Sequence, residues 1–267
     1  MMLEFALSGL RSGLRGRSFH AVFVLGVLLI GVAYLSGFFS PRQPQTVALD
    51  VGFSGVRFSL ILLNLFWVQE LVAREIDRKI ILFSLAYPVS RASFLAGRFA
   101  AVLILSILAA IVLGLLLLLA VAMGGGYGQE FAPVLGVPFW ATVAGFVLDA
   151  ALVGAFSLCI ATLSTVSALP LALGAAFAVA GKALGATLSY LSRGADGDQE
   201  MLARYNPIVD LIRWVLPDLS RLDWREWSMY QLAPGAEIVL WSATMAIAYI
   251  VLLLVCASLL LARREFS

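Results

Sequence analysis

An all-α polytopic membrane fold with six crossings is predicted by three observations: the composition, the long uncharged apolar runs and the placement of the arginines. Of 267 residues, 62% are hydrophobic and only 13% charged, and the mean hydropathy is +0.99. Soluble domains hold roughly 45–50% apolar and about 25% charged residues, so the excess apolar surface must face lipid. A net charge of +2 argues against a nucleic-acid partner. Two cysteines inside apolar runs argue against a disulfide framework, and a single histidine gives no basis for catalysis or metal binding. No catalytic, cofactor or metal site is expected in this chain.

A hydrocarbon core of ~30 Å needs about 20 helical residues. Phe19–Phe39, Phe99–Met123, Phe139–Leu163 and Ile238–Ala262 meet that length without difficulty. Ser167–Leu191 is apolar but Gly/Ala-rich and contains Lys182. Val51–Val72 is interrupted by Arg57, Asn64, Gln69 and Glu70. Basic residues of short loops stay in the cytoplasm. Arg11, Arg15 and Arg17 precede the first run, and Arg263 and Arg264 follow the last. Both termini are therefore expected in the cytoplasm, with an even number of crossings. The loop carrying Arg74, Arg78, Lys79 and Arg91 should lie on that same side, which requires Val51–Val72 to span. Phe139–Leu191 is too long for one crossing and divides at Ser164–Ser167. The chain reads as one membrane domain without a cleaved leader.

Three segments lie outside the spans. Residues 1–17 place Leu3, Leu7, Leu10 and Leu14 at helical spacing, with Arg11 and Arg15 to one side, which predicts an amphipathic helix on the inner membrane face. In the inner loop, residues 73–93, Ile76, Ile80, Phe83 and Tyr87 recur at helical spacing until Pro88. A solvated connector gains nothing from such a stripe, so the loop reads as a docking surface. The outer segment, residues 192–237, is expected to be structured. Asn206-Pro207 resembles a helix start, and Trp214, Trp224, Trp227 and Tyr230 suit the membrane interface.

The inner loop is similar to a known family. Glu75-Ile76-Asp77, Leu85, Pro88-Val89-Ser90-Arg91, Leu95 and Arg98 resemble the first cytoplasmic loop of type-2 ABC export permeases. Those proteins share an acid near the end of the second span, a Pro-x-Ser-Arg turn and a basic residue opening the third. Their overall plan is similar too: a basic amphipathic N-terminal helix, six spans and a large outer segment before the last. Where the family often has glycine after the acidic pair, this chain has Arg78-Lys79. The resemblance implies a permease that dimerises in a bacterial cytoplasmic membrane and binds two cytoplasmic ATPase subunits, which hold the ATP and Mg. Glu75, Asp77, Arg78, Pro88, Ser90 and Arg91 would then form the ATPase-coupling helix and its turn. Cargo would be exported, or force passed to another membrane protein or an outer partner.

The polar residues inside the spans leave alternatives open. Asn64 and Gln69 could bond between helices or line a pathway. Asp149 and Lys182 could form a structural salt bridge between the fourth and fifth spans or serve a substrate pathway. In an ion-coupled secondary transporter, the competing reading, they would be the coupling pair. Arg57 is expected to snorkel to the outer interface, and Glu70 to meet basic residues of the inner loop. Nothing like a nucleotide-binding loop lies outside the membrane, so any ATPase is a separate chain and this chain is not itself an enzyme.

Overall fold

The computed structural model describes residues 2–77, 90–123, 129, 131–164, 166–192 and 217–263, and omits the side chains of 2, 3, 77, 188, 189, 191 and 192. The Asp77 side chain, Arg78, Pro88 and the expected helix at Asn206-Pro207 lie outside the described residues. Helix α1 (Met2–Arg15) leads into α2 (Arg17–Phe38). Helix α3 (Pro44–Val68) continues through a π turn, Gln69–Ala73, into a last α-turn, Arg74–Asp77. Then follow α4 (Arg91–Met123), α5 (Val137–Leu163) and α6 (Leu169–Ser192). A 3₁₀ turn, Leu219–Leu222, and the short α7 (Arg225–Tyr230) precede α8 (Ala236–Arg263).

Among the described residues, six helices are long and apolar enough to cross a membrane: α2, α3 with its continuation to Ile76, α4, α5, α6 and α8. The chain is an all-α polytopic membrane protein. Helices suit this solvent because each satisfies its own backbone polar groups where no water can. Proline stands in the first turn of α3 and of α5, where its missing N–H costs nothing. Helix α5 stops at Ser164, whose backbone turns extended and whose hydroxyl accepts from Val166 N–H at 2.9 Å.

Helices α3 and α5 form the centre. In each, 67% of the apolar window is buried, against 28% in α2 and 17% in α8. Phe53 of α3 meets Phe139 and Phe146 of α5 at 5.3 and 5.7 Å between ring centroids. Outward residues such as Leu28, Leu119, Val179 and Leu252 present a lipid-compatible surface. Asn64 is fully buried and donates to Ser106 Oγ at 2.8 Å, joining α3 to α4. Ser157 donates to Pro170 O at 2.9 Å, joining α5 to α6. Such bonds are the polar joints available to helices that gain no hydrophobic drive from one another in lipid. Helix α1 and the last turn of α8 lie at the same end of the bundle. Arg98 at the start of α4 reaches Ser8 of α1, and Arg91 reaches the last turn of α8.

Candidate functional site

At the terminal end, α1 lies against α4 through glycine. A Cβ at Gly9 would meet the Ala101 methyl, and one at Gly13 would collide with Leu105. Phe5 packs edge-on against Phe94 at 5.5 Å. These residues sit on a face different from the leucine stripe, so Leu7 and Leu14 stay about half exposed and available to lipid. The helix thus has one face for the bundle, a second for the membrane and a polar arc with Arg11 and Arg15 between them. The leucine repeat signalled an amphipathic helix but gave no sign that glycines would dock it.

The π turn sits where α3 leaves the core. Such turns insert an extra residue and recur at functional positions. Here the turn is followed by Glu75, whose Oε1 accepts from Arg98 at 2.5 Å. Arg98 also donates to Ser8 and lies over the Phe94 ring. Glu70 accepts from Ser18 at 2.8 Å and pairs with Arg74 at 3.6 Å, the basic inner-loop partner expected for it. Gln69 opens the π turn, partly buried. On the other side of the loop, Ser90 and Ser93 share a hydrogen bond at 2.8 Å across the start of α4. Arg91 donates to the carbonyls of Leu261 and Ala262 at 2.5 and 3.1 Å. A guanidinium at the C-terminal turn of a helix is well placed, since the helix dipole favours a cation there. An open cleft of about 550 Å³ lies between α1 and this turn, lined by Arg11, Arg15, Glu70, Arg74 and Glu75 among others.

The opposite end carries a continuous chain of charges. Arg57 Nε donates to Asp149 at 2.6 Å, Nη1 to Asp223 at 3.0 Å and Nη2 to Leu219 O at 3.2 Å. Asp223 in turn accepts from Arg225 Nε at 2.8 Å, and Arg225 Nη1 reaches Asp50 at 2.7 Å and Ser54 at 3.0 Å. Acid and base alternate from Asp149 to Asp50, tying α3 and α5 to the segment before α8. Burial disfavours the Arg225 cation, yet the Asp223 and Asp50 carboxylates outweigh it and hold its pKa above the ordinary value. Close packing sets the register. At Gly145 the hydrogen occupies space that a Cβ would take from Leu222 O, and Thr142 Oγ1 donates to Trp224 O at 3.0 Å.

No protein-family model matches the chain, and no curated protein matches it.

Two expectations are corrected. Arg57 does not snorkel to the surface: it is 3% exposed and held by two acids and a carbonyl. Asp149 takes Arg57 as its ion-pair partner in place of Lys182, which stands exposed on α6 in a cleft that Arg57 also lines. The helical register explains both. Position 57 falls on the α3 face turned toward α5, where an arginine cannot reach water and a carboxylate answers it. Trp224 departs from the interfacial role as well, being buried against Gly145 with its indole N–H donating to Arg221 O. Asp50, Asp223 and Arg225 were missed. The available signal was that a buried Arg57 needs acids, and the nearest candidates by chemistry lie in the charged run 218–226.

Proposed function

We propose that this chain is the membrane subunit of an ATP-driven export complex of the type-2 ABC permease kind. It would act as a dimer in a bacterial cytoplasmic membrane, with both termini in the cytoplasm. The observation that carries the reading is the anchoring of both ends of the inner loop. Glu75 leads into it and is bonded to Arg98 at the start of α4. Arg91 leaves it and is bonded to the end of α8. A partner that pushes on such a loop moves three helices together, because the connections on either side are bonded to the bundle. Helix α1 braces the same joint through Ser8. Export of cargo and transfer of force to another membrane protein would use the same lever.

The decisive experiment is purification of the chain from its native membranes after mild cross-linking, followed by measurement of ATP hydrolysis in the purified material. ATPase activity should accompany the wild-type chain. Arg78→Glu should remove it, with the thermal stability of the membrane chain recorded alongside. Recovery of folded chain with no hydrolytic subunit attached defeats the proposal. Glu75→Lys and Arg91→Glu are poorer probes, because both residues hold the bundle together.

A further inference from the structure

A cleft of about 210 Å³ opens between α3 and α6 beside the far charge cluster, whose Ser54 and Arg57 help to line it. Its polarity runs in one direction on both walls. On α3, Ser54 and Arg57 stand at one end, and Phe58, Ile61 and Leu65 follow at helical spacing. On α6, Lys182 stands beside that polar end, and Val179, Ala178 and Ala175 line the rest. Eight residues separate Arg57 from Leu65, an apolar floor about 12 Å long at the helical rise. The apolar end is closed where α3 and α6 touch: a Cβ at Gly174 would collide with Leu65. The mouth faces sideways, since Phe58 is 51% and Val179 71% exposed on spans that face lipid.

We propose that this cleft binds one anionic membrane lipid, with its acyl chain along Phe58, Ile61 and Ala178 and its acidic headgroup on Lys182. The amphipathic gradient matches a molecule with a charged head and an apolar tail, and a soluble anion gains nothing from the apolar floor. The charge at the polar end is also specific. Arg57 has committed all three nitrogens to Asp149, Asp223 and Leu219 O. The buried pairs balance, with Asp149 and Asp223 opposing Arg57 and Arg225. Asp50, half exposed, is taken by Arg225 at the far rim. Among the described residues that line the cleft, Lys182 is a cation outside the alternating chain. An ammonium on a flexible stem at that depth attracts phosphate as a point charge. The assignment stands independently of any ATPase.

The test uses the purified full chain in nanodiscs with photoreactive phosphatidylglycerol or phosphatidylcholine carrying the reactive group in the acyl chain. Labelling of α6 peptides should favour phosphatidylglycerol. Lys182→Gln should reduce it about tenfold, as expected for loss of one charge-assisted contact, and Lys182→Arg should retain it. Ala178→Phe, which fills the cleft without touching the charge, should reduce it equally, with thermal stability recorded for each variant. Equal labelling by the two lipids, or labelling indifferent to both Lys182→Gln and Ala178→Phe, overturns the proposal. Complete competition by inorganic phosphate would mean a headgroup-only site and overturns it too. So does high-yield disulfide formation between Val179→Cys chains, which would mean that a second copy covers the cleft.

Discussion

The two ends of this bundle solve the burial of charge differently. At the far end, five side chains alternate in one uninterrupted line, Asp149–Arg57–Asp223–Arg225–Asp50, joining α3 and α5 to the segment before α8. At the terminal end the bonds are separate: Arg98 with Glu75, Glu70 with Ser18 and Arg74, and Arg91 with the carbonyls of α8. In the continuous line each charge is shared with its neighbours, so displacing one element must break bonds to the next. Separate pairs can open singly beside an open cleft. The far end is built as a rivet and the terminal end as a joint.

The strongest way to break this contrast is Arg57→Met. It strands Asp149, whose side chain is fully buried, and removing one partner of a buried pair costs about 3–5 kcal/mol. Unfolding of the detergent-solubilised protein, followed by circular dichroism, should show it. Asp149→Asn should cost about 1–3 kcal/mol, because Arg57 keeps Asp223 and the Leu219 carbonyl. The double variant Arg57→Met, Asp149→Leu should recover part of the single loss, since Asp223 retains Arg225. If the double variant is no better than Arg57→Met, the charges do not act as a line.

Arg98→Met should have a smaller and more local effect. It removes the partner of Glu75 Oε1 and the bond to Ser8, a loss of about 1–3 kcal/mol. Hydrogen exchange in α1 should accelerate while exchange in α5 stays at the wild-type rate. Arg57→Met should give the reverse pattern. Acceleration across all six spans by Arg98→Met would mean that the terminal end is as cooperative as the far end.

The sequence carried much of the architecture and little of this contrast. Span number, the weak second crossing and the break at Ser164 were all legible, because each follows from hydropathy, length and turn chemistry. Asn64 stands out in the sequence as a polar residue inside a span, and only packing decides that it bonds to Ser106. Arg57 was legible as an anomaly, but its partners lie 92 and 166 positions away, and spacing in the chain has no bearing on such distances. The antiparallel run of the two spans points to Lys182 as the answer to Asp149. Helical rotation, which only packing fixes, turned Asp149 toward α3. The π turn was equally hidden, since Gln69–Ala73 reads as ordinary helix in any window.

The smallest expected effect lies at the edge of the far cluster and sharpens what continuity means there. Asp50 is half exposed, yet it belongs to the same line of charges as Asp149. Exposed ion pairs contribute about 0–1 kcal/mol because water screens them and ordering two side chains costs entropy. Asp50→Asn should therefore shift the unfolding free energy by less than about 1 kcal/mol, and added salt should erase the difference from wild type. Arg225 would remain held by Asp223 and cationic throughout. A loss comparable to that of Arg57→Met would show that the rim transmits to the core and that the whole line is one unit. A negligible loss would place the rivet in the Asp149–Arg57–Asp223 segment, where lipid and protein together exclude water.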